Sequence, residues 1–214
     1  IIPGRPEIML STAVELLERD GINTWVCGCG LGLDDEAAAT LLHQLQILGR
    51  EPLLLDADAL TLLAKYPDFK LEASNSTLIF TPHPAEAARL LHCTTADVQA
   101  DRAAAVKQLA RDYGATVVLK GHRSLVADAD GQFYENHSGN PGLASGGSGD
   151  VLSGLIGALL AQGISPWQAA CGGVWLHGAA ADVLRDSQVG PIGMLAGEIA
   201  PAARWLRNRL CGGL

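Results

Sequence analysis

One acid stands alone in the stretch GNPGLASGGSGDVLSGLIGALLAQG (Gly139–Gly163): Asp150. Gly146, Gly147, Ser148 and Gly149 precede it directly. Consecutive glycines let backbone N–H groups converge on one point, with no Cβ in an anion's way. The apolar helical pattern that follows adds the positive end of a helix. A carboxylate in that first turn stays ionised at neutral pH and can take a proton from a hydroxyl while a phosphoryl group is transferred to it. A helix cap is the commoner role of an Asp, but the density of glycine and the isolation of the acid favour a catalytic base. The stretch is not a P-loop, because no Lys-Ser/Thr pair follows the glycines. It also lacks the preceding strand and the later acid of a dinucleotide fingerprint.

Four more stretches combine polar residues with turn residues. In TPHPAEAARLL, Pro82 and Pro84 fix the backbone around His83 and would aim its imidazole, which suggests a binding role. Pro84 and Glu86 also read as a helix start. In KGHRS, Lys120 could neutralise a phosphate and Ser124 could hydrogen-bond one, although a lone Lys at a strand end is commonly a solvated residue. The glycines of CGCGLG permit the close approach of a ligand or simply a tight turn. In LLLDADAL, Asp58 reads as a helix cap and Asp56 as facing the site.

These stretches are placed by short apolar runs that read as buried parallel strands: Thr24–Gly28, Pro52–Asp56, Thr77–Thr81 and Thr116–Lys120. Helical periods fall at Asp34–Leu48, Pro84–Leu91 and Asp101–Tyr113. Ser124–Asp128 and Gln132–Asn136 read as a hairpin around the turn Asp128–Gly131. Helices follow at Asp150–Gln162, Pro166–Arg185 and Met194–Leu210. The expectation is one α/β domain, a mostly parallel sheet covered on both faces, with its ligand beyond the carboxyl ends of the strands. CGCGLG, Asp56, TPHPAE and KGHRS all lie at such ends.

The net charge of −8 argues against a broad nucleic-acid surface but not against a phosphorylated small molecule. The 214 residues suffice for a buried core. Cys27, Cys29, Cys93, Cys171 and Cys211 form no zinc-ligand spacing and read as reduced thiols of a cytoplasmic protein. No apolar run reaches the length of a membrane span, and no signal peptide is visible.

Together the motifs resemble the ADP-dependent NAD(P)H-hydrate dehydratases, a branch of the ribokinase-like superfamily. The resemblance rests on CGCGLG, LLLDADAL, TPHPAEAARLL, VVLKGHRSLVA, the glycine-Asp stretch and LHGAAAD (Leu176–Asp182), in that order along nearly the whole chain. It implies a ribokinase-like α/β fold and a repair reaction. A hydrated nicotinamide ring is phosphorylated from ADP (ATP is a possible substitute) with Mg²⁺, whose protein ligands are unassigned; phosphate then leaves, restoring NADH or NADPH with AMP as by-product. Carried onto this sequence, Asp150 is the base on the ring hydroxyl. Lys120, Gly121, His122, Arg123, Ser124 and Gly149 contact the adenine nucleotide, and Gly30, Gly32 and His83 hold the hydrated dinucleotide. Asp56, Asn140, Gly146, Gly147 and Ser148 are further candidates.

The chain departs from the family at Cys29, where Pro is usual, and at Ala85, where Gly is usual. The family domain also begins with at least one more strand and helix, including a glycine-alanine loop against the dinucleotide. An upstream segment supplying them is expected, and with it a homo-oligomer and a possible fusion to an NAD(P)H-hydrate epimerase. Two other readings stand beside it: a ribokinase-like kinase of a vitamin precursor, which would share the glycine-Asp motif, and a silent nucleotide-binding domain, which only the missing front of the family domain supports.

Overall fold

The computed structural model describes residues 8–47, 51–66 and 77–212. Its centre is a six-stranded sheet: β1 Trp25–Cys27, β2 Leu53–Leu55, β3 Leu78–Phe80, β4 Thr116–Leu119, β5 Leu125–Ala127 and β6 Phe133–Glu135. The strands lie side by side in chain order. β1 to β4 are parallel, with Leu53 opposite both Trp25 and Leu78, and β4–β5–β6 are antiparallel, as the hairpin reading required.

The helices are α1 Ala13–Leu17, α2 Asp35–Ile47, α3 Ala57–Lys65, α4 Pro84–Leu90, α5 Thr95–Ala100, α6 Arg102–Tyr113, α7 Ser148–Leu160, α8 Pro166–Asp186 and α9 Ala196–Leu210, with a 3₁₀ turn at Pro141–Ala144. The sequence reading contained neither α1 nor α5. Both are short and begin with a capping box, Thr12 with Glu15 and Thr94 with Asp97. Residue 48, the expected end of the second helix, lies outside the described residues.

Parallel strands laid down in chain order, joined by crossovers of one hand, put the connecting helices on one face. Alternate strand residues show this. Leu53, Leu55, Leu78, Phe80, Val117 and Leu119 pack against α2 to α6. Leu54, Ile79, Val118 and Val126 point the other way, onto α7 and α8, and α9 packs in turn on α7 and α8. Both faces are covered as expected, but the crossovers cover only one. The other is closed by the C-terminal helices. No helix among the described residues is long and apolar enough to cross a membrane.

Candidate active site

The carboxyl ends of β1 to β4 converge on Asp56. Its backbone is extended, and it caps α3 by accepting the Ala57 amide at 2.8 Å. The expected cap, Asp58, instead sits in the first turn of α3 and accepts the Gly32 amide at 2.9 Å. The reason is geometric: the strand ends at Leu55, so the first side chain able to turn back onto the helix belongs to Asp56.

Asp56 is 1% exposed and fully engaged. Oδ1 also accepts from Lys120 Nζ at 2.6 Å, and Oδ2 accepts from the Ser153 hydroxyl of α7 at 2.6 Å. Gly28 makes this meeting possible. At φ +121°, its missing Cβ leaves room for the Asp56 carbonyl, bringing the end of β1 against the end of β2.

Lys120 also lies 3.8 Å from Glu86 Oε2. Burial raises the pKa of Glu86, and the nearby Lys120 ammonium opposes that rise. Glu86 and His83 form the capping box of α4. The His83 imidazole accepts the Ala85 and Glu86 amides through Nδ1 at 3.1 and 3.3 Å, so its proton sits on Nε2, 3.3 Å from Glu86 Oε1. Burial first, then Lys120 and Arg89, depress the pKa of His83. His83 therefore adjoins the charged centre through Glu86, as a cap.

Asp150 is exposed in the first turn of α7. The cap position is Gly147, left-handed at φ +84°, and no side chain caps the helix. Asp150 is thus not the cap, and the amino end of α7 remains open to an anion. Cys29, Asp56 and Asp150 bring ligand atoms within 4.8 Å of one another. The Cys29 thiol is pushed up to about 12, by burial first and then by the Asp56 and Asp150 carboxylates. A Cβ on Gly149 would sit 3.5 Å from Lys120 Nζ, so the glycine start of α7 faces that ammonium directly.

Beside this centre lies a cavity of about 580 Å³, walled by Lys120–Ser124, Asn136–Asn140, Ser148, Gly149 and the α8 residues Val174, His177 and Gly178. Every expected nucleotide residue lines it. Of the further candidates, Asn140 and Ser148 line it as well, whereas Asp56 lies beneath Lys120. Gly30, Gly32, Gly146 and Gly147 are not part of its wall.

Three residues that sequence reasoning missed shape this cavity. Arg102 holds the 120–124 loop from behind. His177, 8% exposed, is held neutral by burial, with its pKa lowered to about 4, and its Nε2–H donates to the Ser148 carbonyl at 2.9 Å. Asp182 accepts the Gly139 amide at 2.8 Å and the Asn140 side chain at 3.2 Å. The available signal was LHGAAAD, whose His177, Gly178 and Asp182 share one helix face.

A family model for NAD(P)H-hydrate dehydratase matches residues 5–203. The chain belongs to the NAD(P)H-hydrate dehydratase family. Within that family it is 57% identical to the ADP-dependent (S)-NAD(P)H-hydrate dehydratase of Neisseria meningitidis serogroup B, over 98% of this chain and 71% of that protein. It is 44% identical to the bifunctional NAD(P)H-hydrate repair enzyme of Escherichia coli, over 93% of this chain but 38% of that protein. The crystal structure of the ADP/ATP-dependent NAD(P)H-hydrate dehydratase of Bacillus subtilis, co-crystallised with ATP/Mg²⁺ and soaked with CoA, matches with a TM-score of 0.81 at 28% identity, covering 98% of this chain and 76% of that one. The dehydratase fold of this chain is ribokinase-like, as its motifs implied.

Proposed function

We propose that this chain repairs hydrated nicotinamide cofactors, dehydrating hydrated NADH or NADPH at the expense of ADP. The observation that carries this is the placement of Asp150: an exposed carboxylate at the uncapped start of α7, between the strand ends and the cavity. Lys120 to Ser124 and Gly149 line that cavity and hold the adenine nucleotide, with Asn140 and Ser148 beside them. Gly30 and Gly32, past the end of β1, and His83, past the end of β3, hold the hydrated dinucleotide.

Asp150 takes the proton of the ring hydroxyl as the oxygen attacks the terminal phosphorus of ADP; the P–O bond to AMP breaks as the new one forms. Open amides at the start of α7, together with Lys120, offset the charge that develops on the transferred group. The ring-nitrogen lone pair then expels phosphate. A proton leaves the adjacent ring carbon, and the double bond of NADH returns.

Mg²⁺ would neutralise phosphate charge in such a reaction. The residues present do not form a cage for it: both Asp56 oxygens are committed to Lys120, Ser153 and Ala57, and the Cys29 thiol is a soft donor pushed up to about 12. Asp150 is the one hard ligand left in the cluster, so Mg²⁺ belongs with the nucleotide's phosphates. A cytoplasmic location and a partner epimerase domain in the intact protein fit the same reading.

Asp150→Asn tests it. ADP should bind nearly as in the wild type while turnover falls by about a thousand-fold or more, because the shape is kept and the base is lost. Single-turnover rates equal to wild type would end the assignment.

A further inference from the structure

Arg102 is the first residue of α6 and is not part of the cavity wall, yet its guanidinium lies against the loop that is. Nη1 donates to the His122 carbonyl at 2.6 Å and to that of Arg123 at 3.3 Å. Nη2 donates to the carbonyls of Leu119 at 3.3 Å and Lys120 at 3.4 Å. The Ser124 hydroxyl donates to the Gly121 carbonyl at 3.3 Å, and the Asn136 amide donates to the Ser124 carbonyl at 2.9 Å. Every carbonyl from Leu119 to Ser124 therefore accepts a hydrogen bond. The amides differ. That of Lys120 donates to Pro82 at 2.8 Å, but those of Gly121, His122, Arg123 and Ser124 meet no acceptor among the described residues.

In a trans peptide the C=O and N–H point in opposite directions. With the carbonyls of Lys120, His122 and Arg123 drawn to the guanidinium, the amides of Gly121, Arg123 and Ser124 turn away from it. The loop adopts unfavourable backbone to do so: Arg123 is left-handed at φ +55°, and Gly121 stands at φ +146°, where a Cβ would lie 2.9 Å from Arg102 Nη2. A row of unpaired amides on one side of a loop is an anion receptor.

We propose that Arg102 is the positioning residue of the 120–124 loop. By gathering the carbonyls on one side, it presents the amides to the phosphate chain of a nucleoside diphosphate. The inference rests on the reading that this cavity takes ADP. Arg102 itself does not touch the ligand.

The test compares Arg102→Met, which keeps the apolar stem without donors, and Arg102→Lys, which keeps a charge and fewer donors. ADP affinity is measured by calorimetry, and the KM for hydrated NADH is measured alongside. Limited trypsin digestion is followed by mass spectrometry, because Lys120 and Arg123 place cleavage sites in the loop itself. Arg102→Met should bind ADP about ten-fold or more weakly while the KM for hydrated NADH stays within about two-fold. It should be cut after Lys120 and Arg123 much faster than wild type, with the α6 sites Lys107 and Arg111 cut at the wild-type rate. Arg102→Lys should fall between. Wild-type ADP affinity with an uncut loop overturns the proposal, as does cutting accelerated equally at all sites, which marks general loosening. If the wild type itself fails to bind ADP, the functional reading falls, and the trypsin pattern still decides whether Arg102 positions the loop.

Discussion

The Lys120 ammonium stands 2.6 Å from Asp56 Oδ1 and ties the end of β4 to the end of β2 across the intervening β3. The other Asp56 oxygen holds Ser153 of α7. One buried carboxylate therefore joins both sides of the site to the helix that carries Asp150. Asp56→Ala would strand Lys120 and leave the Ser153 and Ala57 donors unsatisfied. Breaking a buried pair in this way costs about 3–5 kcal/mol. Urea unfolding should show it, and an unchanged midpoint would mean that water replaces the carboxylate at no cost.

His177 makes stability depend on pH. Its pKa is lowered from 6.5 to about 4, by burial first, with the Ser148 carbonyl opposing the shift. Below pH 6.5 the unfolded chain binds the extra proton and the folded chain does not, so stability falls as pH drops from 6.5 to about 4. The loss sums to about 3 kcal/mol. His177→Gln keeps a donor for Ser148 without the titration. Its melting temperature should decline less than that of wild type across this window; identical slopes would remove His177 as the cause.

Cys29 should be slow to alkylate. The residue is exposed, but with its thiol pushed up to about 12 very little thiolate exists near pH 8. Labelling by iodoacetamide, read by mass spectrometry, should be on the order of a hundred-fold slower than for a model cysteine peptide. Asp150→Asn removes one of the charges responsible and should speed it.

Gly178 packs on the backbone of Ser138, where a Cβ would overlap the Ser138 carbonyl group and side chain. Gly178→Ala should cost about 1–3 kcal/mol of stability and push the 136–140 wall into the cavity. Weaker ADP binding with the KM for hydrated NADH preserved is the expected pattern. Wild-type ADP affinity would show that the wall shifts without consequence for the nucleotide.

The strands were legible because each is a compact apolar run, and the motifs because each lies where such a run stops. Asp150 was legible for a local reason, a solitary acid among glycines. Lys120 shows where reading along the chain runs out. Its type suggests either a solvated residue or a phosphate partner, and only sheet order reveals that Asp56, 64 residues earlier, meets it. Asp58 misled because both acids suit a cap, and the choice depends on where β2 ends. Arg102 gave no local sign at all. Its partners are backbone carbonyls, which leave no trace in residue type.

The coverage of the sheet bears on how the chain is made. β1 to β5 and their crossover helices are complete by Ala127, so one side can close as the nascent chain lengthens. Leu54, Ile79, Val118 and Val126 must wait for α7 and for α8 out to Val174. At typical synthesis rates of about 5–20 residues per second, that greasy side stays bare for roughly 2–10 s after the sheet could first assemble. During that interval the ribosome or a chaperone must shield it, and a chain halted before α8 would clump rather than wait.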